Sequence, residues 1–214
     1  MADTEPLKPS NTGWLVADVV PDCHAFAWSR TATDPGLVTL LQDPQWQPHV
    51  VFPQDYAASF RVVHGLDRGT PPPSTHSATP QATPLATPRT RHHNASGNNS
   101  GHTGNGAPRP LFVLLDGTWS EARKMFRKSP LLDPLPVLSL LPEQAHQYQL
   151  AQYQLRRSHC DSQFCTSEVA ALCLHLAGDT LAALTLQAYL AVFSHHYLRA
   201  KQQLPVDRAS PAHQ

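Results

Sequence analysis

The sequence lacks long hydrophobic runs and an excess of charge of either sign. None of its apolar stretches reaches the roughly 18 residues that a membrane-spanning helix requires, and the opening residues, Met1 to Lys8, lack the apolar core of a signal peptide. The 214 residues include 16 basic and 16 acidic side chains, so a nucleic-acid partner would have to be held by a local basic patch. These absences predict a cytoplasmic protein without a membrane anchor.

Cysteine is also scarce, and several familiar motifs are missing. The four cysteines are Cys23, Cys160, Cys165 and Cys173, and none of their spacings is C-x-x-C. In a reducing compartment they are expected as free thiols, and no metal site is predicted from them. The sequence has no G-x-G-x-x-G, no G-x-x-x-x-G-K-[ST] and no G-x-S-x-G, which argues against dinucleotide binding, P-loop chemistry and nucleophile-elbow hydrolysis.

The composition changes abruptly between residues 69 and 108. Three Ala-Thr-Pro repeats and a Gly/Asn/Ser-rich stretch replace the apolar pattern found on either side. Such a segment cannot bury enough apolar surface to offset its chain entropy, so it is predicted to be disordered. We interpret it as an insertion in a surface loop of one catalytic domain spanning residues 1–203, followed by a polar tail at 204–214, because long loops add little closure entropy.

Short apolar runs alternate with helix-start signals along the rest of the chain, a pattern that predicts an α/β fold. The predicted strands are Trp14–Val20, Pro48–Phe52, Leu111–Leu115 and Pro136–Leu140. The predicted helices run from an N-cap at Asp34 through Leu41, from a cap at Thr118 toward Pro130, from a cap at Thr166 to Ala177 before Gly178, and, opened by Asp179-Thr180, from Leu181 to Gln202. On the last helix an apolar stripe is expected to face the core. Its members are Leu184, Tyr189, Val192, Phe193 and Tyr197.

The stretch around Asp116 carries the strongest signal. The apolar run Leu111–Leu115 predicts a strand buried on both faces, as in a parallel sheet, and Thr118 with Glu121 forms a capping box that begins a helix. Asp116 therefore lies at the carboxyl end of a strand, where ligands bind in open α/β sheets. The helix dipole favours its ionised form, so it can serve as a general base or as an orienting acceptor. The alternative is that Asp116 only caps its helix.

Basic residues follow on the same predicted helix. Arg123, Lys124, Arg127 and Lys128 recur at i, i+4 spacing without acidic partners on that face. A second basic cluster is the pair at 156–157. The spacing favours binding of phosphates over an ordinary solvated surface.

Taken together, these residues resemble the DTW-domain family, the tRNA-uridine aminocarboxypropyltransferases. The Asp-x-Thr-Trp block with its basic helix is highly specific, and the other blocks are individually weak but occur in family order over nearly all of the chain outside the insertion. The blocks are Asn11-Thr12-Gly13, Leu115-Asp116-Gly-Thr118-Trp119-Ser-Glu121-Ala-Arg-Lys, Tyr153-Gln-Leu155-Arg156 and Cys165-Thr166-Ser-Glu168-Val169-Ala170.

The resemblance implies a fold and a reaction. The fold would be SPOUT-like, with a mainly parallel sheet, flanking helices and a C-terminal trefoil knot, one of the exceptions to unknotted topology. The reaction would transfer the 3-amino-3-carboxypropyl group of S-adenosylmethionine to a tRNA uridine and release methylthioadenosine. Family members commonly carry cysteines upstream of the Asn-Thr-Gly block that look zinc-binding, and this sequence begins after them. The alternatives are an RNA methyltransferase using the same cofactor and a non-catalytic tRNA-binding remnant.

The resemblance also implies residue roles. Asp116 is the candidate catalytic base that removes the imide proton of uridine. The residues implied to line the S-adenosylmethionine pocket are Asn11, Thr12, Thr118, Trp119, Leu155 and Thr166. The residues implied to hold tRNA phosphates are Arg123, Lys124, Arg127, Arg156 and Arg157.

Overall fold

Four parallel strands form the sheet of this protein. The computed structural model describes residues 8–66, 108–141, 143–144 and 164–209. In chain order the strands are β1 (Trp46–Val51), β2 (Val62–Val63), β3 (Arg109–Val113) and β4 (Val137–Leu138). Their order across the sheet is β2-β4-β1-β3, with every pairing parallel. The predicted α/β class with a parallel sheet is confirmed, whereas the SPOUT-like assignment and the knot stay predictions.

Five α-helices accompany the sheet in the described ranges. They are α1 (Gly13–Val19), α2 (Pro35–Gln42), α3 (Trp119–Arg127), α4 (Thr166–Ala177) and α5 (Thr180–Lys201). The predicted helices following Asp34 and Thr118 are confirmed, and so is the end of α4 at Gly178, which adopts a left-handed conformation with φ of 88° that glycine accommodates without strain.

The prediction of a strand over Trp14–Val20 is wrong, because these residues form α1. The apolar side chains Leu15, Val16, Val19 and Val20 recur at helical spacing and pack against α4 and α5. One continuous face thus enters the core, while Trp14 remains largely exposed. Tertiary packing outweighs the strand preference of the β-branched residues in this segment.

Strand β3 also differs from its prediction. Leu111–Leu115 was expected to be buried on both faces, yet β3 is an edge strand and its residues keep partial exposure. Both faces do contact the core: Val113 packs with the cluster around α3, and Phe112 packs with the cluster around α4. Burial is incomplete because no strand pairs with the outer edge of β3 in the described part of the chain.

The last two helices begin at N-caps that differ in how well the sequence predicts them. Cys165, not Thr166, is the N-cap of α4, and the side chain of Glu168 accepts a hydrogen bond from the Cys165 amide. The predicted cap at Thr166 is therefore one residue too late, because the Thr166 hydroxyl is used elsewhere. Asp179 caps α5 as predicted, accepting from the amide of Ala182.

The core-facing stripe of α5 was predicted only in part. Leu184 and Tyr189 are 52% and 38% exposed, because the buried face is instead formed by Ala183, Leu186 and Leu190. Phe193 packs against the edge of this cluster, as expected. The helix thus presents a narrow seam of small and aliphatic side chains to α1 and α4.

Several predictions lie outside the described residues. They include the disordered insertion over 69–108, save for its last position, and the functional residues Leu155, Arg156 and Arg157. No helix within the described ranges combines the length and apolar character needed to cross a membrane. The cytoplasmic location stays a prediction.

The capping box of α3 provides a test of local stability. Replacing Thr118 with alanine removes the hydroxyl that accepts from the Glu121 amide, and should destabilise the protein by about 1 kcal/mol. We expect a melting temperature lower by about 2–4 °C, measured by circular dichroism. Ser120→Ala, at an exposed position of the same helical turn, is the matched control and should melt as the parent does. Equal melting of the two variants would contradict the capping role.

Candidate functional site

Asp116 follows β3 at the carboxyl edge of the sheet and is held by two distant segments. The Asn11 side-chain amide donates a hydrogen bond to Asp116 Oδ2 at 2.9 Å, and the Thr166 hydroxyl donates to Oδ1 at 2.7 Å. The carboxylate is only 7% exposed. The N-cap of α3 is Thr118, so the alternative that Asp116 merely caps this helix is wrong.

The residues preceding α1 fix this arrangement. Asn11 Oδ1 accepts from the Gly13 amide at 2.6 Å, which sets the orientation of the Asn11 side chain toward Asp116. Thr12 Oγ1 accepts from the Ser167 amide at 3.3 Å and so joins this segment to the start of α4. Asn11 and Thr12 are both buried. The Asn-Thr-Gly block therefore orients the carboxylate and links α1 to α4.

Gly13 is a residue whose importance sequence reasoning missed. A Cβ atom at this position would lie 2.9 Å from Asp116 Oδ2 and 3.0 Å from Asn11 Oδ1. Such contacts are too short for any side chain, so only glycine allows the carboxylate to approach the backbone this closely. The signal available in the sequence was the glycine that ends the Asn-Thr-Gly block.

Asp116, Gly13 and Thr166 are among the residues that line a cavity of about 630 Å³. Residues of β3 and of the segment 20–34 line it too, and its walls are mainly aliphatic and aromatic. Its volume lies within the range of small-molecule sites, which are typically apolar with a few placed polar groups. Lys128, at the end of α3, also lines it.

Thr118 and Trp119 do not line this cavity. The Thr118 side chain is engaged in the capping box with Glu121. The Trp119 ring stacks on Phe52, with centroids 5.4 Å apart, and meets Tyr56 edge-on at 5.6 Å. Of the predicted cofactor-binding residues, Thr166 lines the cavity and contacts Asp116. Asn11 contacts Asp116 and Thr12 contacts the start of α4, but neither lines the cavity.

Three of the five predicted RNA-binding residues, Arg123, Lys124 and Arg127, lie on α3. The Arg123 guanidinium carbon is 6.0 Å from the centroid of the Trp119 ring, and the Lys124 ammonium is 5.7 Å from that of Trp28. Both distances permit cation–π attraction. Arg127 is exposed near the end of the helix. The helix therefore carries positive charge from the Trp119 side toward the rim of the cavity.

The thiol of Cys165, next to Thr166, is not a nucleophile at neutral pH. Burial and the negative charge of Glu168 raise the pKa of the Cys165 thiol to about 12, so it remains protonated at neutral pH and cannot attack an electrophile. The carboxylate of Asp116, by contrast, accepts two hydrogen bonds and has about four acceptor positions. It can therefore accept a proton from a ligand while keeping both partners. In the described ranges, no group of three or more His, Cys, Asp or Glu could hold a metal ion.

A family model described as the DTW domain matches residues 1–198, a span that includes every site residue described above. No solved structure matches the chain.

Proposed function

Because the chain belongs to the DTW-domain family, which supports a role in tRNA modification, we propose that it transfers the 3-amino-3-carboxypropyl group of S-adenosylmethionine to a tRNA uridine in the cytoplasm. Bound S-adenosylmethionine would supply this group together with a sulfonium leaving group, released as methylthioadenosine. A SPOUT-like fold with a threaded carboxyl-terminal region is part of the proposal. The parallel sheet supports the α/β part of this fold.

The site has features that suit this donor. The Asp116 carboxylate in the cavity wall attracts the positive sulfonium and ammonium groups, and the largely apolar remainder of the wall suits an adenosine. The positive groups would lie beside Asp116, Gly13 and Thr166. Thr166 and Asn11 hold the carboxylate in one orientation, which reduces the reorganisation needed on binding.

Asp116 would act as the general base. The N3–H of uridine is a weak acid, so its nitrogen becomes a competent nucleophile for carbon when a carboxylate accepts the proton. The bond from N3 to the donor's γ-carbon forms as the carbon–sulfur bond breaks, and the electron pair leaves with sulfur. The observation that carries the proposal is the convergence of Asn11 and Thr166 on a single acid at the wall of a cofactor-sized cavity.

The products distinguish this reaction from its rivals. The protein should be incubated with tRNA and S-adenosylmethionine labelled in the carboxyl carbon, and the nucleosides and small products analysed by mass spectrometry. Methylthioadenosine with labelled tRNA is expected. S-adenosylhomocysteine would instead identify a methyltransferase, and tRNA binding without any product would identify a non-catalytic remnant.

Charge reversal on α3 tests the tRNA contact. The double variant Arg123→Glu/Arg127→Glu should bind tRNA more weakly, because two phosphate contacts are lost. The slope of log K against log salt should shrink by about 0.7 to 0.9 for each contact, as measured by fluorescence anisotropy across a salt series. Lys201→Glu, an exposed basic residue at the end of α5, is the control. An unchanged slope in the double variant would contradict a phosphate-binding role for α3.

A further inference from the structure

Three aromatic side chains with exposed surface lie on α3 or on turns that contact it: Trp119 is in α3, Tyr56 meets the Trp119 ring, and Phe60 precedes Arg61, whose guanidinium carbon is 5.8 Å from the centroid of the Phe126 ring of α3. Phe60 is 88% exposed at a 3₁₀ turn, Tyr56 is 40% exposed at the preceding turn, and Trp119 is 36% exposed at the first position of α3. We call these three residues the aromatic face. Phe60 lies four residues after Tyr56, so their Cα atoms are at most about 14 Å apart. Exposed aromatic side chains that cluster, unlike ones scattered singly, mark a candidate binding surface.

The rings nearest α3 are fixed in place. Tyr56 and Trp119 meet edge-on at 5.6 Å, and both contact Phe52, at 5.5 and 5.4 Å between centroids. Phe52 in turn stacks on Phe126 of α3 at 4.5 Å. Since Phe52 and Phe126 are buried, the exposed parts of Tyr56 and Trp119 form a rigid surface. Binding to it requires little ordering of side chains.

The turn that carries Phe60 is also anchored. The guanidinium group of Arg61 donates to the carbonyl oxygen of Leu132 at 2.7 Å and to that of Leu135 at 3.0 Å. These bonds tie the turn to the segment before β4. The backbone next to Phe60 is therefore held in place while the Phe60 side chain is exposed.

The charged and polar groups beside the aromatic face indicate which ligand it binds. Arg123 lies 6.0 Å from the Trp119 ring, and Lys124 and Arg127 extend the positive charge along the same helix. Gln54 and Ser59, from the turns that carry Tyr56 and Phe60, line with His64 a hollow of about 330 Å³ that offers hydrogen-bonding groups. This combination matches an unpaired nucleotide. Its base can stack on a flat ring, its phosphate can be neutralised by the cations, and the edge of the base can form hydrogen bonds with the polar groups.

We propose that the aromatic face binds unpaired loop nucleotides of the tRNA by stacking. This inference rests on the proposed function for the identity of the RNA, and adds how the acceptor loop is gripped. It assigns Trp119 to the RNA and not to the donor cavity. Stacking recognises the splayed bases of a loop and not a regular duplex, so the enzyme would select loop uridines over paired ones.

The test is binding of a tRNA stem-loop to Phe60→Ala and Phe60→Leu, measured by fluorescence anisotropy without S-adenosylmethionine. Loss of a stacked base should weaken binding by between about fivefold and about 150-fold. Leucine should not rescue it, because an aliphatic side chain keeps hydrophobicity but has no π face. The salt slope should remain that of the parent, because stacking releases no counterions. Since Phe60 is exposed, both variants should fold normally.

Leu181→Ala is the matched control, because Leu181 is 78% exposed on α5, and its binding should equal that of the parent. Binding by Phe60→Ala within twofold of the parent would overturn the inference, even if the parent modifies tRNA normally. Equal losses with a fully paired duplex of the same length would also overturn it. Failure of the parent protein to bind any tRNA would overturn both this inference and the proposed function.

Discussion

Asp116→Asn should lower the rate of aminocarboxypropyl transfer by about 10²- to 10⁴-fold, the usual contribution of a positioned general base. Asparagine has the shape of aspartate and can still accept from Thr166 or Asn11, but its amide cannot take the proton of uridine. Rates are best measured under single turnover with saturating tRNA, so that product release does not mask the chemical step. Calorimetry should show that S-adenosylmethionine still binds, more weakly than to the parent because the amide lacks the charge that attracts the donor, but far less impaired than transfer.

Asp43→Asn is the matched control for this result. Asp43 lies at the end of α2 and bonds to Gln45, remote in sequence from the blocks that form the site. The same change of acid to amide there should leave the transfer rate unchanged. Transfer by Asp116→Asn at the parental rate would contradict the assignment of Asp116 as the base.

Gly13→Ala should impair both stability and transfer. The added methyl group would lie within 3.0 Å of the Asn11 and Asp116 side chains, so the carboxylate must move or the start of α1 must shift. Overpacking of this kind typically costs about 1–3 kcal/mol. A displacement of about 1 Å at a catalytic group can reduce the rate by about a hundredfold. Urea denaturation and single-turnover transfer measure the two effects.

Gly65→Ala provides the comparison, because a Cβ at Gly65 would meet nothing within 4 Å. This substitution should be neutral, or stabilise the protein by up to about 1 kcal/mol by restricting the unfolded chain. The contrast between the two glycines separates close approach from general glycine effects. If both alanine variants unfold and react alike, the tight packing of Gly13 on the carboxylate has no functional importance.

Local signals in the sequence predicted the strand-to-helix unit around Asp116 well. The apolar run, the acid and the Thr118–Glu121 capping box are adjacent in the chain, and the structure reproduces the box bond for bond. The helix caps at Asp34 and Asp179 could be predicted equally well, because a capping bond joins residues only two or three positions apart.

The partners of Asp116 could not be predicted from patterns of this kind. Asn11 is 105 positions and Thr166 is 50 positions from Asp116 along the chain, and no local rule connects them. The resemblance grouped these residues near one pocket but could not reveal that two of them grip the acid. The wrong prediction at α1 has the same origin, because Leu15 and Val16 pack against α4 and α5, which are distant in the sequence.

The position of β4 has a consequence for biosynthesis. In the described part of the chain, β2 pairs with β4 alone, and β4 joins it to β1. As the polypeptide leaves the ribosome, residues 62–63 must therefore wait for residues 137–138 before they gain a neighbour, with the whole 69–108 segment emerging in between. Non-local pairing of this kind slows folding, and nascent chains that stall before residue 137 would expose unpaired backbone at two separate strands, a natural substrate for chaperones.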